Sequence, residues 1–235
     1  MTSKEVLAEL EKLGSPSVKK VLTNHGAREP FYGVKVEDLK KIMKRVKTDY
    51  KLSMELFDSG VSDAMYLAGL IADSSKMTKK DLQKWADKAY WYMLSEYPVA
   101  WVTAESPYGL ELALEWIDSD KPQIACAGWS ALGNIAALKP DAELDLKLYK
   151  SLIERVGKEI HKAPNRVRYC MNGFVLMAGA YITSLTELAR KTGDKMGAIQ
   201  VDMGGTACRV PNISDYIDKI DARGNLGKKK KTVRC

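Results

Sequence analysis

The sequence predicts an all-α fold, an α-solenoid of HEAT-like helical repeats. Apolar residues recur at helical spacing along most of the 235-residue chain. Amphipathic segments are paired with segments that are apolar on nearly every side, at residues 50–73, 107–138 and 142–183. The spacing of these pairs, roughly 30 to 45 residues, is typical of HEAT-type repeats. Because stacked helix pairs form a solenoid with a continuous inner surface, the pattern also predicts a binding surface.

Helical periodicity predicts eleven helices in the first 194 residues and a short one after them. Their predicted ranges are 3–13, 15–24, 36–47, 50–58, 61–73, 78–95, 107–117, 121–138, 142–160, 164–183, 184–192 and 213–221. Thr78 followed by Asp81 predicts a capping box at the start of one helix. Pro122 and Pro164 stand near two other helix starts, where proline is tolerated because the first N–H groups have no partner within the helix.

The hairpin around residue 120 shows the repeat unit most clearly. Gly109 to Ile117 alternates apolar and acidic residues as an outer helix does, whereas Pro122 to Leu138 contains no charged residue. A helix that is apolar on nearly every side must be packed on nearly every side. The sequence therefore predicts an outer helix, a short polar turn and a buried inner helix.

Composition excludes several classes of protein. Hydrophobic residues make up 46% of the chain, enough for a sizeable core. Four dispersed cysteines without a CxxC motif, and two histidines, predict neither a disulfide framework nor a metal site, and we expect no cofactor. The first residues read as an amphipathic helix without a signal peptide, and the uncharged stretch Tyr169 to Thr186 is polar enough to be a packed inner helix. We therefore expect a cytoplasmic monomer with no membrane partner.

The positive charge lies mostly in the last part of the chain. Of the net charge of +7, residues 195–235 contribute five, with nine basic residues against four acidic ones. We expect a HEAT-like-repeat domain at 1–194 and a turn-rich C-terminal appendage at 195–235 that has too few large apolar side chains to fold independently. The basic run in this appendage comprises Lys228, Lys229, Lys230 and Lys231. Such a run is typical either of a contact for a polyanion, nucleic acid first, or of a solvated tail.

Aromatic residues offer a second kind of nucleic-acid contact. Five tryptophans lie in the central third of the chain, among them Trp85 and Trp129. Aromatic residues at helical spacing are usually core, but on the inner surface of a basic solenoid they could stack on nucleobases. Cys208, which follows a glycine pair, has no histidine nearby in the sequence to activate it, so a structural role is the better interpretation.

Several loose motifs occur in an order found in a known family. They are the segment Phe31 to Val34, Leu56 with the helix at 64–71, Trp85, and the turn from Glu115 to Asp120. Over roughly residues 20–185 the chain resembles the AlkD-type DNA alkylation-repair family, DNA glycosylases built of HEAT-like repeats. The resemblance implies a right-handed superhelix that holds duplex DNA in a positively charged concave groove and removes N3- or N7-alkylated purines.

The chain departs from that family at the catalytic positions. Where the family has an aspartate four residues after the tryptophan, this chain has Ala89, and where it has an arginine pair, this chain has Ala125 and Cys126. The family's later base-cupping tryptophan is replaced near residues 172–174. Without that carboxylate, the main electrostatic stabilisation of an oxocarbenium-like transition state is missing.

The sequence is compatible with three functions. The first and preferred one is that of a DNA-binding protein, which holds duplex, damaged or branched DNA without retaining the family's catalytic residues. The second is an active alkylpurine glycosylase with a rearranged site, in which Asp87 or Glu96 supplies the carboxylate and Trp85 or Trp129 supplies the aromatic ring. The third is a HEAT-type scaffold that binds proteins. The predicted DNA contacts are Trp85, Lys121, Trp129, Arg166, Arg168, Lys228, Lys229, Lys230 and Lys231.

Overall fold

The structure is a computed structural model that describes residues 1–234. Within these residues the secondary structure consists of α-helices, short 3-10 segments and one π-helical turn, with no β-strand. The predicted all-α fold is confirmed. The chain forms two compact units, one made of residues 1–108, 203–207 and the C-terminal end at Arg234, the other of residues 109–202 and 208–233.

The first unit contains the shorter helices. They are α1 (Ser3–Leu13), α2 (Pro16–Asn24), α3 (Val36–Val46), α4 (Tyr50–Asp58), α5 (Ser62–Ile71), α6 (Lys79–Lys88), α7 (Tyr92–Leu94) and α8 (Ala100–Glu105). The helix α5 is its inner helix, since each of its residues is buried. It packs against α4, as the predicted pair at 50–73 requires. The predicted capping box is present, because Thr78 and Asp81 exchange side-chain and backbone hydrogen bonds.

A buried carboxylate explains the Phe31 to Val34 motif. Asp63, 5% exposed in α5, accepts hydrogen bonds from the backbone N–H groups of Tyr32 (2.6 Å) and Val34 (2.8 Å). Gly33 between them has φ +79°, and a Cβ there would lie 2.7 Å from the Lys19 backbone nitrogen. The motif therefore has a structural role, and only glycine fits at residue 33.

The prediction of one helix over 78–95 is wrong. The helix α6 ends at Lys88, and a second helical run goes from Tyr92 to Glu105 through a π-helical turn at Ser95–Val99. Pro98 lies inside this turn and packs so closely on α5 that a Cβ on Gly69 would be 2.3 Å from the Pro98 Cβ. Proline normally ends a helix because it lacks an N–H donor, and the wider π-turn accommodates it here.

The second unit contains two long inner helices. Its helices are α9 (Gly109–Trp116), α10 (Pro122–Leu138), α11 (Leu146–Glu159), α12 (Asn165–Tyr181), α13 (Thr186–Met196) and α14 (Ile213–Ala222). The helix α10 packs against both α9 and α12, which confirms its predicted burial on most sides. On α11 the buried Tyr149 hydroxyl donates a 3.0 Å hydrogen bond to the Leu132 carbonyl of α10, and burial raises the pKa of this phenol well above its usual value.

Residues 195–235 contribute to both units, through residues 203–207 and Arg234 in the first and through α14 and most of the basic run in the second. Whether residues 1–194 fold as a domain without this appendage stays a prediction. In the part of the chain that the structure describes, we find no helix with the length and hydrophobicity needed to cross a bilayer.

Candidate nucleic-acid interface

The N-terminal end of α10 carries a cation where a helix usually carries an acceptor. Lys121 is the N-cap residue, and its side chain makes no capping hydrogen bond. Pro122 follows at the first helical position, and the first turn contains no acidic residue. Both Lys121 and Pro122 are exposed. The predicted helix start was correct to within one residue.

The N-terminal end of α12 has the same character. Pro164 is the N-cap residue without a side-chain cap, and the first turn again contains no acid. Arg166 and Arg168 are both partly exposed, and the Arg166 guanidinium lies 4.1 Å from the centroid of the Tyr169 ring. The Nε of Arg168 is buried and has no hydrogen-bond partner among the described residues.

Cations at these two positions do not stabilise the helices. The N-terminus of a helix behaves as about half a positive charge. Each nearby cation therefore lowers the stability of the helix by roughly 0.3–1 kcal/mol. A helix N-terminus with free N–H donors and basic side chains binds anions such as phosphate. Lys121, Arg166 and Arg168 are therefore placed for contact with a polyanion, and their function there stays a prediction.

A cavity of about 270 Å³ lies between these two helix starts in the second unit. Apolar residues from α10 and α12, together with the end of α9, form most of its wall: Ile117, Pro122, Ala125, Trp129, Val167 and Met171. Arg155, Glu159 and Lys162 line it from α11 and the 3-10 turn that follows. Trp129, a predicted base contact, is 1% exposed and forms part of this wall.

Arg155 is held firmly at the cavity. Its guanidinium lies 5.8 Å from the centroid of the Trp129 ring and forms ion pairs with Asp118 (2.6 Å) and Glu159 (2.9 Å). The hydrogen bond to Asp118 is the largest cause that raises the pKa of Arg155 above its usual value. Two carboxylates thus contact one guanidinium, so this group of three side chains has a net charge of −1.

Part of the basic run caps the C-terminal end of α10. The Lys229 ammonium donates a 2.8 Å hydrogen bond to the Ala136 carbonyl and lies 2.8 Å from the Asp141 carboxylate. The Lys230 backbone N–H donates to the Ala137 carbonyl at 2.7 Å. Both carbonyls belong to the last turn of α10, where a cation is favourable because the C-terminal end of a helix is negative.

Lys229 departs from both interpretations of the basic run. Lys229 is only 21% exposed and binds protein groups, so it is neither solvated nor directed at DNA in this structure. The Lys230 ammonium lies 5.6 Å from the centroid of the Tyr181 ring, within cation–π range. Lys228, Lys230 and Lys231 are exposed. The predicted contact of these three lysines with DNA stays a prediction.

Arg234 caps the C-terminal end of another helix, α5 in the first unit. Its guanidinium donates a 2.6 Å hydrogen bond to the Ala72 carbonyl at the end of α5 and bonds the Ser74 hydroxyl. It also forms an ion pair of 2.8 Å with Glu105, in which both side chains are less than 20% exposed. Sequence analysis missed this role, because a single arginine near a chain end carries no signal of its partners.

Trp85, a predicted DNA contact, and Asp87, a candidate catalytic carboxylate, lie on opposite faces of α6. Trp85 is 0% exposed and stacks on Phe57, with ring centroids 4.0 Å apart, so it offers no free face to a base. Asp87 is exposed and accepts a 3.3 Å hydrogen bond from Gln83. The catalytic role of Asp87 is untested, and the burial of Trp85 argues against the predicted base contact at that residue.

The other predicted carboxylate lies inside the fold. Glu96 is 7% exposed and belongs to the π-helical turn at Ser95–Val99. Sequence analysis did not foresee this burial, because it placed residue 96 after the end of a helix. The sequence also gave no indication of Arg155 as a cavity residue, since its charge fits an ordinary outer helix.

Comparison with known proteins agrees with this architecture. The model of the DNA alkylation repair enzyme family matches residues 6–167. An uncharacterized protein of Listeria monocytogenes is 32% identical, over 95% of this chain and 99% of its own length. Another from Listeria innocua is 32% identical over 96% of this chain and 100% of its own.

A solved structure is similar over 100% of both chains, with 36% identity and a TM-score of 0.91. Its family is described as related to the HEAT-like repeat DNA glycosylases and as having affinity for branched DNA structures. This similarity confirms the predicted HEAT-like helical repeats. Because the family model covers more than half of the sequence, the chain belongs to the DNA alkylation repair enzyme family.

Proposed function

We propose that this protein binds DNA, with a preference for branched over linear duplex DNA, and that it does so without glycosylase activity. The observation that carries the proposal is the pair of cationic helix starts at Lys121 and Arg166, which have no acidic residue in the first turn. The relative with 36% identity has affinity for branched DNA structures, and this supports the choice of DNA structure.

The electrostatics favour phosphate as the bound group. Lys121 and Arg166 lie at the positive ends of α10 and α12, where basic side chains weaken the helix by roughly 0.3–1 kcal/mol each. A phosphate placed there would accept hydrogen bonds from backbone N–H groups and neutralise both contributions. Displacement of counterions from DNA would then make the affinity depend strongly on salt.

The placement of the carboxylates supports binding without catalysis. Asp87 is exposed on α6, whereas the tryptophan two residues before it is fully buried, and Ala89 occupies the family's aspartate position. A glycosylase needs a carboxylate beside the sugar that becomes cationic. Glu96 is buried in the π-helical turn, so it would need a rearrangement to reach a sugar.

The test is a titration of a four-way junction and a linear duplex of the same length over a series of salt concentrations. We expect tighter binding of the junction and a steep fall of log K with log salt for both DNAs. The double variant Lys121→Gln, Arg166→Gln should weaken binding to both and reduce the salt slope by about 2, one for each lost phosphate contact. A wild-type slope near zero would contradict the proposal.

A matched control uses the exposed Lys147 and Lys150 on α11. The double variant Lys147→Gln, Lys150→Gln makes the same change in net charge. Lys147 lies in the first turn of α11, which follows the C-terminal end of α10 in the chain, and α10 itself is about 25 Å long at 1.5 Å per residue. We expect its salt slope to equal that of the wild type. Equal losses in both double variants would mean that only net charge matters.

Glycosylase activity is tested separately, by incubation with methylated DNA and measurement of released methylpurines. We expect no release above the level without protein. Release that is abolished by Asp87→Asn or by Glu96→Gln would overturn the second half of the proposal and identify the carboxylate.

A further inference from the structure

Residues 35–51, which form α3 and the start of α4, are strongly basic. They contain seven lysine and arginine residues against three acidic ones, a net charge of +4 in a chain whose net charge is +7. Each of the three acids already contacts another group of the protein. The contacts are the ion pairs Lys35–Glu37 and Lys41–Asp38 and the hydrogen bond from the Leu52 N–H to Asp49. The acids of the segment are thus engaged, and the charge left on its surface is positive.

Four of the seven basic residues have no partner of this kind. Among residues 1–234, no ion pair and no side-chain hydrogen bond involves Lys40, Lys44, Lys47 or Lys51. Lys40 is partly exposed and the other three are exposed. We refer to these four residues as the lysine surface, which belongs to the first unit. Surface lysines are normally solvated, so their number alone assigns no function to them.

The spacing of the lysine surface matches a strand of DNA. Lys40 and Lys44 are four residues apart on α3, so their side chains lie on one face of the helix. Lys47 follows at the end of the helix, about 10 Å from Lys40 along the axis at 1.5 Å per residue. One strand of duplex DNA has a phosphate for about every 3.4 Å of its axis. A row of this length therefore corresponds to about three phosphates of one strand.

Two of these lysines occupy positions that do not favour them. Lys47 is the C-cap residue of α3, with φ 63° and ψ −139°, and no other non-glycine residue among 1–234 has a positive φ. Glycine adopts such angles without strain and is the usual residue after a helix end. Lys51 lies in the first turn of α4, where the positive end of the helix disfavours a cation. Helix stability accounts for Lys44, near the negative end of α3, but not for Lys47 or Lys51.

We propose that the lysine surface binds the phosphates of one arm of branched DNA while the starts of α10 and α12 bind another arm. This inference rests on the proposed DNA binding and supplies the second contact that a preference for branched DNA requires. A protein with a single contact surface would bind a junction arm as it binds a linear duplex. Two surfaces that engage two arms of one DNA molecule raise the affinity, because the second contact is intramolecular.

The test compares a four-way junction with a linear duplex of the length of one arm, over a series of salt concentrations. The double variant Lys44→Gln, Lys47→Gln should weaken binding of the junction about tenfold or more and reduce its salt slope by about 2, one for each lost phosphate contact. Its affinity and salt slope on the linear duplex should equal those of the wild type, since the starts of α10 and α12 hold that duplex. Circular dichroism establishes that the variant is folded.

Two further double variants serve as controls. Lys147→Gln, Lys150→Gln on α11 makes the same change in net charge at exposed residues and should bind both DNAs as the wild type does. Lys121→Gln, Arg166→Gln should instead lose affinity for both DNAs. The three variants thus separate the effect of net charge, the contact at the lysine surface and the contacts at the starts of α10 and α12.

A single substitution tests Lys47 in a protein whose stability is raised. Lys47→Gly removes one ammonium group and places at this residue the amino acid that adopts a positive φ without strain. We expect a urea midpoint above that of the wild type, because the strain at Lys47 is relieved. The salt slope on the junction should fall by about 1 and that on the linear duplex should not change. A loss of affinity in a protein of higher stability has no explanation in unfolding.

The outcomes separate this inference from the proposed function. Junction binding that equals the wild type in both Lys44→Gln, Lys47→Gln and Lys47→Gly would overturn the lysine surface and leave the contacts at α10 and α12 intact. Equal losses on the junction and the linear duplex would also overturn it, because both surfaces would then contact one arm. The same loss in the α11 control would mean that only net charge matters. A wild-type salt slope near zero on both DNAs would overturn the proposed function itself.

Discussion

At the C-terminal end of α10, Lys229 and Lys230 satisfy the last carbonyls, and Gly227 does the same for the Ala180 carbonyl of α12. At the N-terminal ends of the same two helices, Lys121 and Arg166 stand where the helix is already positive. Lys229, Lys121 and Arg166 are all cations, but Lys229 is placed where helix electrostatics favour it and the other two where they oppose it. A cation at the C-terminal end of a helix thus stabilises the fold, whereas one at the N-terminal end needs another explanation, and we propose that it is the contact with DNA.

The largest effect should come from removal of the tail. A chain that ends after Gly227 loses the contacts of Lys229 and Lys230 with α10 and those of Arg234 with Ala72 and Glu105. At about 1 kcal/mol for each lost hydrogen bond, we expect the free energy of unfolding to fall by about 3 kcal/mol or more. Urea denaturation followed by circular dichroism measures it. Equal midpoints for the two chains would mean that the tail is not bound in solution.

The same truncation is therefore a poor test of DNA binding, since it changes stability as well as charge. The full-length double variant Lys228→Gln, Lys231→Gln removes two exposed ammonium groups and leaves Lys229, Lys230 and Arg234 in place. It should keep the urea midpoint of the wild type. Any loss of DNA affinity in this variant reports a direct contact of the tail.

Arg234 should contribute a large part of that stability. Arg234→Gln leaves the Glu105 carboxylate, with a side chain 19% exposed, without its ion-pair partner. Breaking a largely buried pair by removing one member costs about 3 kcal/mol. A double-mutant cycle with Glu105→Gln tests the cause, because the two changes should be far from additive. Additive losses would show that the pair itself contributes little.

Much of the fold could be predicted because its signal is local. The inner helices α10 and α12 lie within two residues of their predicted bounds, since each is a long apolar run that begins beside a proline. The run from Tyr92 to Glu105 was missed because a proline inside a helix depends on a close neighbour, here Gly69. That neighbour is distant in sequence, and nothing in the local pattern reveals it.

The candidate site also has a part that the sequence could predict and a part that it could not. The cationic helix starts were predictable, because each follows from a basic residue beside a helix-starting proline. The anchoring of the tail was not, because the acceptors are backbone carbonyls 93 residues away for Lys229 and 162 for Arg234. A backbone carbonyl is present at every residue, so no sequence pattern marks the ones that bind.

A smaller difference in stability is expected between variants of two adjacent lysines of the tail. Lys229→Met loses the bond to Ala136 and the ion pair with Asp141, for which we expect about 1 kcal/mol of lost stability. Lys228→Met, with the same change of charge at an exposed residue, should change stability by less than about 0.5 kcal/mol. The urea midpoints of the two variants measure the difference. If the midpoints coincide, the contrast between the two ends of α10 loses its energetic basis.

The last prediction replaces the cation at the start of α10 with an acceptor that would cap the helix. Lys121 has extended backbone angles, φ −86° and ψ 109°, as an N-cap residue does, so Lys121→Asp should place an acceptor over the first N–H groups of α10. We expect a gain of about 0.5–1 kcal/mol in stability together with weaker DNA binding at all salt concentrations. Thermal unfolding and junction titration measure the two quantities on the same protein. Lys147→Asp, in the first turn of α11 where Asp145 already caps the helix, makes the same change of charge and should alter DNA affinity far less. A variant that gains stability and loses affinity would show that Lys121 is kept at the expense of its helix, because the DNA contact requires it there.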